Sequence, residues 1–119
     1  MVSHALAGTR ADAQAVALLQ HSSGTTGLQK GVALSHRAVF NQLQAYGGAL
    51  QTSSADVVVS WLPLYHDMGL SAGFIMPILS GMPLVLLSPF DWVRRPALLL
   101  QAISTHRGTL SWQIGRAHV

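Results

Sequence analysis

The sequence predicts an α/β fold: a mostly parallel, helix-covered sheet, preceded by one β-loop-β turn. Short apolar runs typical of strands alternate with amphipathic stretches typical of helices through residues 15–112. Three successive valines at positions 57–59 stand ahead of Trp61, as in parallel strands that are buried on both faces. A glycine- and hydroxyl-rich stretch between two apolar runs, residues 15–19 and 32–34, predicts the β-loop-β turn.

The first elements follow from local signals. Residues 1–14 show no apolar pattern and form an N-terminal edge, and residues 15–20 predict a buried strand that leads into the loop. Ser35 is a typical helix N-cap. The helix behind it is expected to bury one face, formed by Val39, Leu43, Tyr46 and Leu50.

The next strand is predicted over residues 57–62 and ends at Pro63. A helix and a strand are also predicted near the end of the sequence. Pro96 suits the first position of a helix that ends at Gly108. Its apolar face is predicted to contain Leu99, Leu100 and Ile103. A final strand begins over residues 109–112.

One uncharged stretch, residues 68–90, is long enough to cross a bilayer, so a membrane-associated helical protein is an alternative. Prolines and glycines interrupt it, however. A helix from Leu70 to about Ser80, a turn at residues 81–83 and a strand over residues 84–87 explain the spacing better. We therefore expect no transmembrane span.

Composition narrows the class further. Half of the residues are hydrophobic and only 9% are charged, against about 25% in an ordinary soluble domain, which suggests a piece of a larger body. The seven Lys and Arg residues form no run longer than two, so a nucleic-acid partner is not expected. The chain has no cysteine and no basic-then-apolar leader, which favours a cytoplasmic protein.

The most informative stretch is residues 22–31, which hold four hydroxyl side chains, three glycines and the only lysine. Glycines let backbone N–H groups approach an anion, hydroxyls add donors, and the lysine supplies a positive charge. The stretch predicts a polyphosphate-binding loop, with the alternative of a hairpin turn that binds nothing. It is not a Walker loop, whose glycines and lysine have another spacing. The candidate ligands are Ser22, Ser23, Gly24, Thr25, Thr26, Gly27 and Lys30.

These residues resemble the phosphate-binding signature of the adenylate-forming (AMP-binding) superfamily, which includes acyl-CoA synthetases, fatty acyl-AMP ligases and adenylation domains of peptide synthetases. Gln29 stands where the family usually has proline. A second stretch, residues 61–70, resembles the next signature in its acyl-activating form. The resemblance implies that His66 lines the acyl-substrate pocket near the reacting carboxylate; a histidine hydrogen-bonded to Asp67 at a turn is the alternative.

The resemblance also implies a reaction. ATP, carrying Mg²⁺, activates a carboxylic acid as an acyl-adenylate, and CoA or a carrier protein accepts the acyl group. Apolar residues around His66 favour a fatty or other hydrophobic acid over an amino acid. A peptide-synthetase adenylation domain and a non-catalytic nucleotide- or anion-binding module stay open as alternatives.

The resemblance covers residues 15–112, a part of the family's N-terminal domain. The signatures that bind adenine, ribose and Mg²⁺, and the lysine of the C-terminal domain, have no counterpart in the sequence. We therefore expect this polypeptide alone to be inactive. Residues 113–119 depart from the family pattern and are expected to be a non-native or unpacked tail; no protein metal site is expected.

Overall fold

A computed structural model of the protein describes residues 10–22 and 30–113. The chain divides into two compact units, Met1–Gln44 and Ala45–Val119. The first unit contains a β-hairpin and the start of a long helix. The second contains parallel strands and the shorter helices. Most of the predicted tail, residues 114–119, lies outside the described residues.

The predicted β-loop-β unit is an antiparallel hairpin. Strand β1 spans Val16–Ser22 and strand β2 spans Lys30–Ser35, with paired residues running from Leu18 and Leu34 to Ser22 and Lys30. A β-bulge interrupts the register between Val16 and Leu18. The strand–loop–strand prediction is confirmed for the residues that flank the loop.

The burial predicted for β1 is wrong. Leu19 exposes 75% of its surface and Val16 exposes 59%. An apolar run in the sequence shows that a strand is suited to burial, but a two-stranded ribbon needs another layer to cover its faces. Among the described residues of the first unit, nothing covers the face that carries Leu19.

Helix α1 spans His36–Leu50, as predicted. The N-cap prediction is confirmed, because the Ser35 hydroxyl oxygen accepts a hydrogen bond from the Ala38 N–H at 3.1 Å. The predicted apolar face is only partly buried. Leu43 is buried, whereas Tyr46 and Leu50 are exposed.

The second unit contains the parallel sheet. Strand β3, Val58–Ser60, pairs in parallel with strand β4, Leu84–Leu86. On the other side of β3, Leu110 forms a single parallel bridge to Val58. The parallel arrangement is thus confirmed, and all three residues of β3 are fully buried.

The strands are shorter than predicted. Past Ser60, the Leu62 N–H donates to the Ser60 hydroxyl oxygen at 3.3 Å, so this backbone group bonds locally. Pro63 follows and has no N–H to continue a ladder. Trp61 and Leu62 are nevertheless buried. Residues 109–112, where a strand was predicted to begin, contribute the isolated Leu110 bridge.

The core of this unit lies between β3 and the last two helices. Val59, Trp61, Leu62 and Leu99 form its buried cluster. The Trp61 ring stacks on the Trp92 ring with centroids 3.7 Å apart and an interplanar angle of 11°. Trp61 is therefore a packing residue.

The helix predicted near residues 70–80 is present but starts earlier. It consists of helix α2, Asp67–Leu70, a π-helical turn, Ser71–Ile75, and helix α3, Met76–Leu79. Among the described residues, no helix combines the length and the apolar character needed to cross a bilayer.

The π-helical turn is linked to a proline and a tryptophan. The Met76 N–H donates to Ser71 O, five residues back. The same spacing one residue later would pair Ala72 O with Pro77, which has no N–H. Instead, the Trp112 indole Nε1–H donates to Ala72 O at 2.9 Å.

Two helices follow β4. Helix α4, Pro89–Arg94, was not predicted, and helix α5, Ala97–His106, follows it. Pro96 is the N-cap of α5, one position earlier than predicted. Leu100, assigned to the buried face, exposes 69% of its surface; the buried residue of α5 is Leu99.

Candidate functional site

The predicted phosphate-binding residues lie at and between the ends of the hairpin. Ser22 ends β1, Lys30 begins β2, and the two residues are paired across the ladder. Paired residues in an antiparallel ladder have Cα atoms only about 5 Å apart. The hairpin therefore holds the two ends of the connection, residues 23–29, next to each other. Five candidate ligands lie outside the described residues: Ser23, Gly24, Thr25, Thr26 and Gly27.

The hairpin fixes the backbone position of Lys30 at the start of β2. Side chains alternate along a strand, so Lys30 lies on the same face of β2 as Val32 and Leu34. Lys30 is exposed, whereas Leu34 at the other end of the strand is half-buried. A lysine at this position carries a positive charge beside a glycine- and hydroxyl-rich connection, a donor set suited to phosphate oxygens.

The second candidate residue, His66, lies in the second unit, directly before helix α2. Its backbone is extended, with φ −90° and ψ 134°, and it forms the N-cap of the helix. The His66 N–H donates to Pro63 O at 3.1 Å, and His66 O accepts from the Leu70 N–H at 2.9 Å. These bonds fix the backbone of His66 between the end of β3 and the first turn of α2.

The His66 ring lies against its neighbour in the sequence. His66 Nδ1 is 3.0 Å from Asp67 Oδ1. The Met68 N–H donates to Asp67 Oδ1 at 2.7 Å and to His66 Nδ1 at 3.2 Å. The ring keeps 37% of its side-chain surface exposed. The contact with Asp67 and the position at a turn, which the alternative for His66 expects, are thus both present. The part of the ring that stays exposed is open to a ligand.

The surface next to His66 is apolar and exposed. Tyr65 exposes 92% of its surface, and Leu64 and Met68 are also exposed. Within the described residues, Tyr65 therefore does not pack in the core.

In the part of the chain that the structure describes, no three His, Asp or Glu side chains are grouped so that they could hold a metal ion. The contact of Asp67 with His66 is the one named in the turn alternative for His66. What the sequence did not predict is that the pair stands at a helix start, because α2 begins three residues earlier than expected.

Comparison with known proteins connects the two stretches. The family model of the AMP-binding enzymes matches residues 3–118. The chain is 40% identical over 112 residues to a 4-hydroxyphenylalkanoate adenylyltransferase of Mycobacterium tuberculosis, covering 92% of this chain and 18% of that protein. It is 44% identical over 95 residues to the long-chain-fatty-acid–AMP ligase FadD26 of Mycobacterium marinum, covering 76% of this chain and 16% of that protein.

A solved structure gives the same result for the fold. The fatty acyl-adenylate ligase from L. pneumophila, in complex with acyl adenylate and pyrophosphate, superposes with a TM-score of 0.80 and 32% identity. The match covers 87% of this chain and 18% of that one. The chain thus spans less than a fifth of the length of these relatives. It belongs to the AMP-binding enzyme family, as a part of the family's N-terminal region.

Proposed function

We propose that this chain is the phosphate- and acyl-binding part of a longer ATP-dependent ligase that activates a fatty or other hydrophobic carboxylic acid. The observation that carries the proposal is the hairpin pairing of Ser22 with Lys30, which joins the ends of the Ser/Thr/Gly stretch. Membership of the AMP-binding family supports it.

In the proposed reaction, a carboxylate oxygen of the acid attacks the α-phosphorus of ATP. A new C–O–P bond forms, the P–O bond to the β-phosphate breaks, and pyrophosphate leaves with that electron pair. Such a reaction asks the protein for positioning and charge neutralisation. Residues 22–27 and Lys30 would hold the β- and γ-phosphates, with Mg²⁺ bound to the nucleotide. A thiol of CoA or of a carrier protein would then take the acyl group, the C–O bond to the adenylate would break, and AMP would leave.

The acyl end of the substrate is assigned to the surface around His66. The exposed apolar side chains of Leu64, Tyr65 and Met68 suit a hydrophobic acid, because burying them against it removes apolar surface from water. The names of relatives point the same way, since FadD26 of Mycobacterium marinum is a long-chain-fatty-acid–AMP ligase.

The test is carboxylate-dependent ATP–pyrophosphate exchange by the full ligase that carries this sequence, with a long-chain fatty acid. Lys30→Ala removes a charge-assisted bond to phosphate, worth about 1.5–3 kcal/mol. We expect kcat/KM for ATP to fall by roughly 10-fold or more. The matched control is Arg37→Ala, which removes an exposed cation from helix α1 of the same unit. Equal effects of the two variants would contradict the assignment of Lys30.

The 119-residue chain alone separates the remaining alternatives. We expect it to show no exchange, because adenine- and ribose-binding signatures were not found in its sequence. A non-catalytic anion-binding module would gain thermal stability from tripolyphosphate and lose this gain in Lys30→Ala. In that case, the full protein would also fail the exchange assay. Robust exchange by the 119-residue chain would refute the expected inactivity.

A further inference from the structure

We propose that Asp67 is a positioning residue that holds the His66 imidazole through Nδ1–H and leaves Nε2 as the ring atom that meets the acyl substrate. The inference rests on the proposed function for its catalytic consequence. Its structural part, the tautomer of His66, can be tested without any activity.

The argument begins with three atoms that lie within 3.2 Å of one another: His66 Nδ1, Asp67 Oδ1 and Met68 N. The Met68 N–H has its shorter contact, 2.7 Å, with the carboxylate oxygen, and its longer one, 3.2 Å, is a cap hydrogen bond that only an unprotonated Nδ1 accepts. An unprotonated Nδ1 at 3.0 Å from the same oxygen would face it lone pair to lone pair. A protonated Nδ1 gives up the longer bond from Met68 N–H and donates to the carboxylate instead, so that Oδ1 accepts two charge-assisted hydrogen bonds.

The proton on Nδ1 determines whether Nε2 is a hydrogen-bond donor or an acceptor. In neutral imidazole only one nitrogen carries the proton, and the hydrogen bond made by one nitrogen sets the state of the other. Nε2 lies on the far side of the ring from Nδ1. It is therefore the ring nitrogen turned away from Asp67, on a side chain that remains 37% exposed.

The backbone under this pair is held rigidly. A Cβ added at Gly69 would lie 2.3 Å from Pro63 O, so the first turn of α2 packs directly on the end of the strand segment. The His66 N–H bonds to the same Pro63 carbonyl. Because both ends of the turn are fixed, the remaining freedom of the imidazole is rotation of its side chain. In the observed rotamer, Nδ1 contacts the Asp67 carboxylate, whose own side chain is 73% exposed.

The first test reads the tautomer by nitrogen-15 NMR of the imidazole in the 119-residue chain. We expect the Nδ1–H form of His66 in the wild type and the Nε2–H form in Asp67→Ala. Asp67→Asn keeps a side-chain carbonyl oxygen and should retain the Nδ1–H form. An Nε2–H tautomer in the wild type would overturn the proposal.

The second test is a double-mutant cycle in the full ligase, measured by acid-dependent ATP–pyrophosphate exchange. We expect Asp67→Ala to lower kcat by roughly 10-fold, with KM for ATP unchanged, because the ring loses its orientation. In a His66→Ala background, Asp67→Ala should have no further effect, and Asp67→Asn should restore most of the activity in the wild-type background. Additive losses would mean that Asp67 only supports the helix start, and would overturn the proposal.

The two hypotheses can fail separately. If His66→Ala leaves exchange unchanged while the wild-type ring shows the Nδ1–H form, the assigned role of His66 fails and the structural part of the inference stands. If His66→Ala abolishes exchange while the wild-type ring shows the Nε2–H form, the role of His66 stands and the inference fails.

Discussion

Asp56 connects two distant parts of the second unit through single hydrogen bonds. Its Oδ2 accepts from the Ser53 N–H at 2.7 Å, and its Oδ1 accepts from the Thr109 hydroxyl at 2.8 Å. The same hydroxyl oxygen accepts from the Val57 N–H at 2.9 Å. The loop before β3 is therefore held to the segment that follows α5.

These bonds make stability depend on pH. The Ser53 N–H first, and the Thr109 hydroxyl second, hold the pKa of Asp56 below its ordinary value of 3.8. A lowered folded-state pKa stabilises the fold above pH 3.8, and this stabilisation is lost as the pH falls through the lower folded pKa. We expect the difference in unfolding free energy between wild type and Asp56→Asn to shrink over that range.

Urea unfolding of both proteins at a series of pH values measures this difference. The pH dependence that comes from the other carboxyl groups is the same in both proteins and cancels. The Thr109→Val background is the control, because it removes one of the two donors to Asp56. The pH-dependent part of the difference should become smaller there. A difference that stays constant down to the acid limit would contradict the role given to the Asp56 carboxylate.

Single residues with a local signal were predictable, and residues that depend on tertiary packing were not. Ser35 was identified as an N-cap because capping involves only the next few residues. The contact of Asp67 with His66 was one of two alternatives left open, because it depends on where α2 begins. The side chains of the loop between Ser22 and Lys30 remain a prediction, since five of the candidate ligands lie outside the described residues.

At the scale of elements, two glycines bring the helical segment after His66 close to β3. A Cβ at Gly69 would meet Pro63 O at 2.3 Å, and a Cβ at Gly73 would meet the Ser60 hydroxyl oxygen at 2.7 Å. In the sequence these glycines indicate interruptions of a helix. In the structure they lie within α2 and the π-helical turn, where the absence of a side chain permits the close packing.

Gly69→Ala should therefore destabilise the protein by about 1–3 kcal/mol, because the added methyl group meets a backbone oxygen that cannot move aside cheaply. Gly48→Ala is the matched control. Gly48 lies in the part of helix α1 that belongs to the second unit, as Gly69 does, and nothing is near its Cβ position. The substitution should stabilise the protein by about 0.5–1 kcal/mol. Denaturant unfolding of both variants checks the sign, and a neutral Gly69→Ala would contradict the packing argument.

The π-helical turn leads to a second prediction at this scale. Trp112→Phe removes the indole donor to Ala72 O, which should cost about 1–3 kcal/mol. In a Pro77→Ala background, residue 77 regains an N–H that can donate to the same carbonyl. The cost of Trp112→Phe should then be smaller. Equal costs in the two backgrounds, measured by urea unfolding, would show that the indole bond and the missing proline donor are independent.

At the scale of the whole molecule, the α/β class and the parallel pairing were predictable because the valine run needs cover on both faces. Exposure was not. Leu19, Tyr46 and Leu100 follow apolar periodicities that predict burial, yet all three are exposed. Periodicity identifies the face that is suited to burial, but whether that face is covered depends on other segments. The chain spans less than a fifth of its relatives, so it represents few of the segments they contain.

The stacked pair of Trp61 and Trp92 also gives this protein an optical reporter. Two indole rings with centroids 3.7 Å apart couple their electronic transitions, which adds a circular dichroism signal that separated rings do not have. Trp61 directly follows β3 and Trp92 belongs to α4, so the signal requires α4 to pack against the end of β3. Unfolding of this core can thus be followed without a label, apart from any change in helix content.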